Sequence, residues 1–166
     1  MFNLNSKFLL ANRLIANIVA NLIAFMAFLA FLDSIIGWIG DMIDLPELSF
    51  KFIMSKVFIP LALLLGIEWS DAEKVASLLG LKIVINEFVA YQELSTMLGT
   101  ISKRSETIAT FALCSFANIS SIGIQVGGLS AMAPGRKSEI SQLALRAMIT
   151  GSVASFMTSC VAGMMA

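Results

Sequence analysis

The chain has 166 residues, of which 58% are hydrophobic and 13% charged, with no histidine, and its mean hydropathy is +0.88. Soluble domains carry about 25% charged residues, so most of a normal wet surface is missing. Eleven Lys and Arg balance eleven Asp and Glu, which leaves no basic surplus for a nucleic acid. The lack of histidine removes the commonest general base and metal ligand. Together these facts predict an all-α polytopic membrane protein partnered by the lipid bilayer. Cys114 and Cys160 lie in apolar stretches without a CxxC spacing and read as small buried residues, not zinc ligands or a disulfide.

A spanning helix needs about 20 mostly apolar residues. Leu14 to Leu32 is uncharged and bordered by Arg13 and Asp33, so a first span is expected over about 8–32. On its face Asn17 and Asn21 stand four apart, a spacing that suits bonds between helices. The opening residues carry one lysine and no small-residue cleavage site, which argues against a signal peptide. Residues 34–50 mix apolar residues with Asp41, Asp44 and Glu47 around Trp38, as expected of a segment lying at the interface. A second span is expected over 52–67, with Pro60 inside it.

"EWSDAEKVASLLG" then reads as a polar helix entry with Ser70 or Asp71 as the N-cap. The following stretch is apolar, yet broken by Gly80, Lys82, Asn86, Glu87 and Glu93. One straight helix would carry Lys82 and Glu87 to the middle of the bilayer. Two short helices meeting near Ile85 form instead a re-entrant hairpin over about 71–98 with Glu87 at its tip. Non-helical backbone at that depth is tolerated only inside protein or against a wet cavity. Residues 107–134 are uncharged for 28 positions, but "FANISSIGIQVGGLS" crowds Asn118, Ser120, Ser121, Gly123, Gln125, Gly127 and Gly128 into their middle. This predicts a broken helix over about 105–134 whose freed polar groups face a polar guest. Small-residue packing between helices would explain the glycines alone. "GRKSE" (135–139) is a basic loop that places this side in the cytoplasm, and a last span follows over about 140–166.

"GLKIVINEFVAY" (80–91) resembles the Gly-x-Lys-x-x-x-Asn-Glu-Phe-Val-Ala-Tyr pattern of the concentrative nucleoside transporters, the sodium/nucleoside cotransporters. "FALCSFANISSIGIQVGGLSAMAPGRKSEISQLALRAM" (111–148) resembles the segment that follows it in that family, and "IANIVANLIAF" and "GIEWSDA" fit in order. The resemblance implies one half of an inverted-repeat transporter, the C-terminal half, over residues 1–166. It implies nucleoside transport (uridine or adenosine class) by symport with sodium or protons, in a plasma-membrane homotrimer, with no cofactor. It maps the substrate site onto Glu87, Asn118, Ser121 and Phe116. Base recognition and a sodium site are implied in an N-terminal half outside this sequence, so no metal site is assigned here.

The residue types agree with that mapping. A neutral nucleoside is rich in hydroxyls that need acceptors once they leave water. A carboxylate offers about four lone-pair sites, enough for both ribose hydroxyls, through bonds roughly twice as strong as neutral ones. Asn118 supplies donors and an acceptor, Ser121 a rotatable hydroxyl and Phe116 an apolar surface. Each residue also has a plainer role: Glu87 as an ion-pair partner of Lys82, Asn118 and Ser121 bonded to helix carbonyls, Phe116 as packing. The alternative to a transporter half is a non-transporting membrane subunit, or a truncated fragment that retains the fold. A third reading, an intramembrane enzyme, has against it that Glu87 lacks a histidine, metal cluster or second catalytic carboxylate at a fixed spacing nearby, so no enzyme is expected.

Overall fold

The computed structural model describes the backbone of residues 4–45 and 47–166, with the side chains of residues 4–11, 13–15, 17, 18, 21, 22, 25 and 131 outside the described set. The expected interhelical role of Asn17 and Asn21 therefore lies outside it, as does the opening stretch. The described residues form helices without strands and divide at Phe50 into two compact units.

The first unit is one helix, α1 (Leu4–Met42), and the turn that follows it. Its 39 residues correspond to about 58 Å of helix. The border expected at Asp33 is not a helix border, because α1 continues nine residues further, to Met42. The Asp33 carboxylate has a use inside the helix: it accepts the Phe50 backbone N–H at 2.6 Å. That bond draws the chain back along α1 after the turn, where Asp44 adopts a φ of 56°.

The second unit holds the remaining helices. α2 (Phe50–Leu64) ends in a Schellman turn: the Ile67 N–H bonds the Ala62 carbonyl at 3.2 Å and the Gly66 N–H bonds Leu63 at 3.0 Å. Gly66 takes the required left-handed conformation, φ +91°. The chain thereby turns by 116° into α3 (Trp69–Val84). The expected N-cap is corrected here, since Glu68 holds the cap position and makes no side-chain cap bond. The Asp71 carboxylate instead accepts the Ser102 backbone N–H at 3.0 Å. Asp71 thus ties the open end of the α3 hairpin to the start of α5 (Lys103–Leu113).

α3 is the most buried element, with Val75, Ala76, Leu78, Leu79 and Leu81 in the core. It folds back on α4 (Glu87–Met97), and both pack on α5. Glu93, one of the charges that interrupt the apolar pattern, pairs with Lys51 of α2 at 2.7 Å. After α5 come α6 (Ile119–Met132), a 3-10 turn over Pro134–Arg136, and α7 (Lys137–Met165). The expected loop at 135–139 is therefore mostly helical, and Arg136 pairs with Glu139 at 2.9 Å. Among the described residues, Pro134–Met165 is long and apolar enough to cross a membrane, and α2 and α3 meet that test only as a bent pair.

Gly80 lets α2 and α3 approach closely. A Cβ there would stand 2.5 Å from the Met54 Cβ and 3.3 Å from the Phe58 ring. The Met54 Cβ is fixed to its backbone, so the helices themselves would have to move. Gly80→Ala is therefore expected to cost about 1–3 kcal/mol by overpacking. The check is the melting temperature in detergent, and an unchanged value would contradict this packing.

Candidate functional site

The two breaks in the helices lie against each other. α3 stops at Val84, and Asn86 takes an extended conformation (φ −169°, ψ 171°) whose side chain accepts the Val89 N–H at 3.0 Å. Asn86 is therefore an N-cap, and it starts α4 with Glu87 in the first turn. At the other break α5 stops at Leu113, residues 114–118 are non-helical, and Asn118 caps α6. Its Oδ1 accepts the Ser121 N–H at 2.7 Å. The Ser121 hydroxyl in turn accepts the Asn118 N–H at 3.3 Å and donates to the Asn118 carbonyl at 2.8 Å. This reciprocal box satisfies orphan donors at the start of α6.

One bond joins the two helix starts: the Asn118 Nδ2 donates to Glu87 Oε2 at 2.9 Å. Both residues are buried, at 2% and 6% exposure. Two helix N-termini, those of α4 and α6, thus converge on one carboxylate, and each contributes positive potential there. Ser120 adds a second link. Its hydroxyl lies 2.8 Å from the Ile85 carbonyl and 2.7 Å from Asn118 Oδ1. One proton serves one of these acceptors at a time.

The structure brings together three of the sequence-expected residues, Glu87, Asn118 and Ser121. Phe116 joins them through Phe88, the two rings meeting edge to face at 6.3 Å and 66°. Both rings are exposed, Phe116 at 68%. The ion pair considered between Lys82 and Glu87 is absent among the described residues. The Lys82 ammonium donates to the Ala112 carbonyl instead. The helix break also falls earlier than the glycine-rich stretch, so that Gly123, Gly127 and Gly128 lie within α6. Capping by Asn118 starts α6 before those glycines can unwind it. Cys114 corrects a further expectation: it is exposed, because it lies in the unwound segment, while Cys160 is half-buried. Sequence reasoning singled out Asn86 and Ser120 as polar interruptions but missed their roles as cap and bridge. An Asn directly before an acidic first turn was the available signal for Asn86, whereas nothing local marks Ser120 as a bridge to Ile85.

A family model described as "Na+ dependent nucleoside transporter C-terminus" matches residues 3–163. The chain belongs to this family. It is 49% identical to Solute carrier family 28 member 3 of Homo sapiens over 92% of its own length and 24% of that protein. It is 50% identical to Sodium/nucleoside cotransporter 1 of Mus musculus over 92% of its length and 26% of that protein. The chain thus spans about a quarter of the length of these relatives. Among solved structures, the transporter CNTnw in an inward-facing substrate-bound state is similar with a TM-score of 0.91 at 38% identity. That match covers 96% of this chain and 40% of the other. All of these matches are with transporters, and the helical architecture agrees with theirs.

The caps separate by mutation. Asn118→Ala loses the cap, worth about 0.5–2 kcal/mol, and also leaves Glu87 without its donor. Asn118→Ser restores a capping oxygen but is too short to reach Glu87. Melting temperatures in detergent should therefore rank wild type above Asn118→Ser above Asn118→Ala. Equal values for Ser and Ala would contradict the capping role.

Proposed function

We propose that this chain supplies the ribose-binding half of a nucleoside transporter driven by a cation, sodium or proton. The observation that carries the reading is the Glu87 carboxylate, buried at the meeting of two helix N-termini, with Asn118 bonded to one of its oxygens. A carboxylate has about four acceptor sites, so about three remain for a guest. The ribose 2′ and 3′ hydroxyls are donors spaced to use them. Asn118 keeps a second Nδ2 proton to offer an acceptor on the nucleoside. Ser121 has given its proton to the Asn118 carbonyl, so toward substrate it can serve as an acceptor. The exposed Phe88–Phe116 pair offers an apolar face beside the sugar or base.

Several features support this reading. The names of the relatives describe sodium and nucleoside cotransport, and one solved neighbour is described as substrate-bound. A hairpin and a broken helix meeting at one polar point are what inverted-repeat transporters use at mid-membrane. In this proposal α3 and α4 are a re-entrant hairpin, α5 and α6 a broken helix, and the regions 8–32, 52–67 and 140–166 cross the bilayer, with 34–50 at its surface. A second repeat supplies base contacts and the coupling ion, and the full-length protein works as a plasma-membrane homotrimer on uridine- or adenosine-class substrates.

The test uses a full-length relative in which these 166 residues replace the matching segment. Glu87→Gln keeps the size but turns one acceptor into a donor. Losing a hydrogen bond to a charged group costs about 1.5–3 kcal/mol, so uridine affinity should fall about tenfold to a hundredfold. A 2′,3′-dideoxynucleoside lacks the hydroxyls and should lose much less. Equal losses for both substrates, after correction for surface expression, would reduce Glu87 to a fold residue.

A further inference from the structure

Lys82 is a fully buried side chain, at 0% exposure, that the substrate site described above does not use. It leaves α3 and donates to the Ala112 carbonyl in the last turn of α5. Its ammonium also stands 5.0 Å from the centre of the Phe156 ring on α7. From the same helix the Ser155 hydroxyl reaches the Ala112 carbonyl at 3.4 Å and the Phe111 carbonyl at 3.5 Å.

The end of α5 has a need that this arrangement meets. A helix C-terminus carries roughly half a negative charge on unpaired carbonyls, and α5 has no basic residue in its last turn. The helix breaks there inside the protein, beside buried Leu113. Helix ends of this kind, where a helix is interrupted at membrane depth, are known to coordinate sodium through their carbonyls. A carbonyl and an aromatic face at a buried position, with the Ser155 hydroxyl on the same Ala112 carbonyl, are groups that suit a monovalent cation. Here the position holds an ammonium on a four-carbon tether; among the described residues no carboxylate is in ion-pair contact with it, although the Glu87 carboxylate is near enough for its charge to favour a cation there.

We propose that Lys82 is a tethered cation. It fills a monovalent-cation position at the C-terminal end of α5, and removing its charge turns that position into a site for free sodium or potassium. The claim concerns the electrostatics of the fold and stands whether or not the chain transports nucleosides.

The test is thermal melting of the full chain in detergent, in sodium, potassium or choline chloride at constant ionic strength. Lys82→Met should melt below wild type in choline. It should then gain about 3–5 °C more than wild type does as sodium or potassium rises from about 1 to about 100 mM. Lys82→Arg keeps a charge on the α5 carbonyls and should gain no more than wild type. A Met variant whose response to sodium and potassium matches that of wild type would overturn the proposal, as would an Arg variant that behaves like Met. Should Lys82→Met be recovered folded only with sodium or potassium present, the proposal holds. Failure to recover it in all three salts would contradict it. Because no step reads transport, this result and the ribose-anchor result can fail independently.

Discussion

The bond from Asn118 Nδ2 to Glu87 Oε2 is where the two interruptions of this fold become one site. Each residue already has a local task at a helix start, Asn118 as the cap of α6 and Glu87 in the first turn of α4. Their shared bond sets the hairpin tip against the broken helix. A buried carboxylate requires partners, because an unpaired one costs several kcal/mol. Here the partners are a donor side chain and two helix N-termini, all of which come from backbone geometry set by caps. The capping of the helices and the solvation of the anion are therefore the same constraint.

The surrounding structure holds that constraint in place. Asp71 ties the open end of the hairpin to Ser102 at the start of α5, and Tyr91 bonds the Thr110 carbonyl at 2.7 Å further along the same helix. Lys82 secures the far end of α5 through Ala112. Both helices of the hairpin are thus tied to α5 by polar bonds as well as by packing. Arg104 extends the network to α7 through the Gly163 carbonyl at 3.1 Å. Apolar burial alone slides easily along a helix, whereas these bonds fix register. Register matters because the Glu87–Asn118 contact tolerates little displacement.

The parts of this picture that were legible in the sequence are those where polar residues interrupt an apolar run. Glu87 and Asn118 stood out for that reason, and the hairpin turn near Ile85 followed from the cost of a straight helix. What was not legible depends on single bonds between residues far apart in the chain. Asp33 marked the border of an expected span because it is charged, and nothing local showed that α1 runs on past it to Met42 while its carboxylate accepts the Phe50 N–H. Lys82 looked like a partner for Glu87 because the two lie five residues apart. The helix ends between them at Val84, and Lys82 bonds a carbonyl 30 residues further on instead of the carboxylate. The glycines at 123–128 suggested unwinding, but a cap upstream decides where a helix starts, and Asn118 precedes them.

A structure of the full-length transporter carrying this segment, solved with uridine bound, tests the central claim most directly. The account predicts the Glu87 carboxylate within hydrogen-bonding distance of both ribose hydroxyls, with the bond from Asn118 still in place. A nucleoside bound with its ribose away from Glu87, or a Glu87 carboxylate turned to Lys82 in the occupied site, would contradict it.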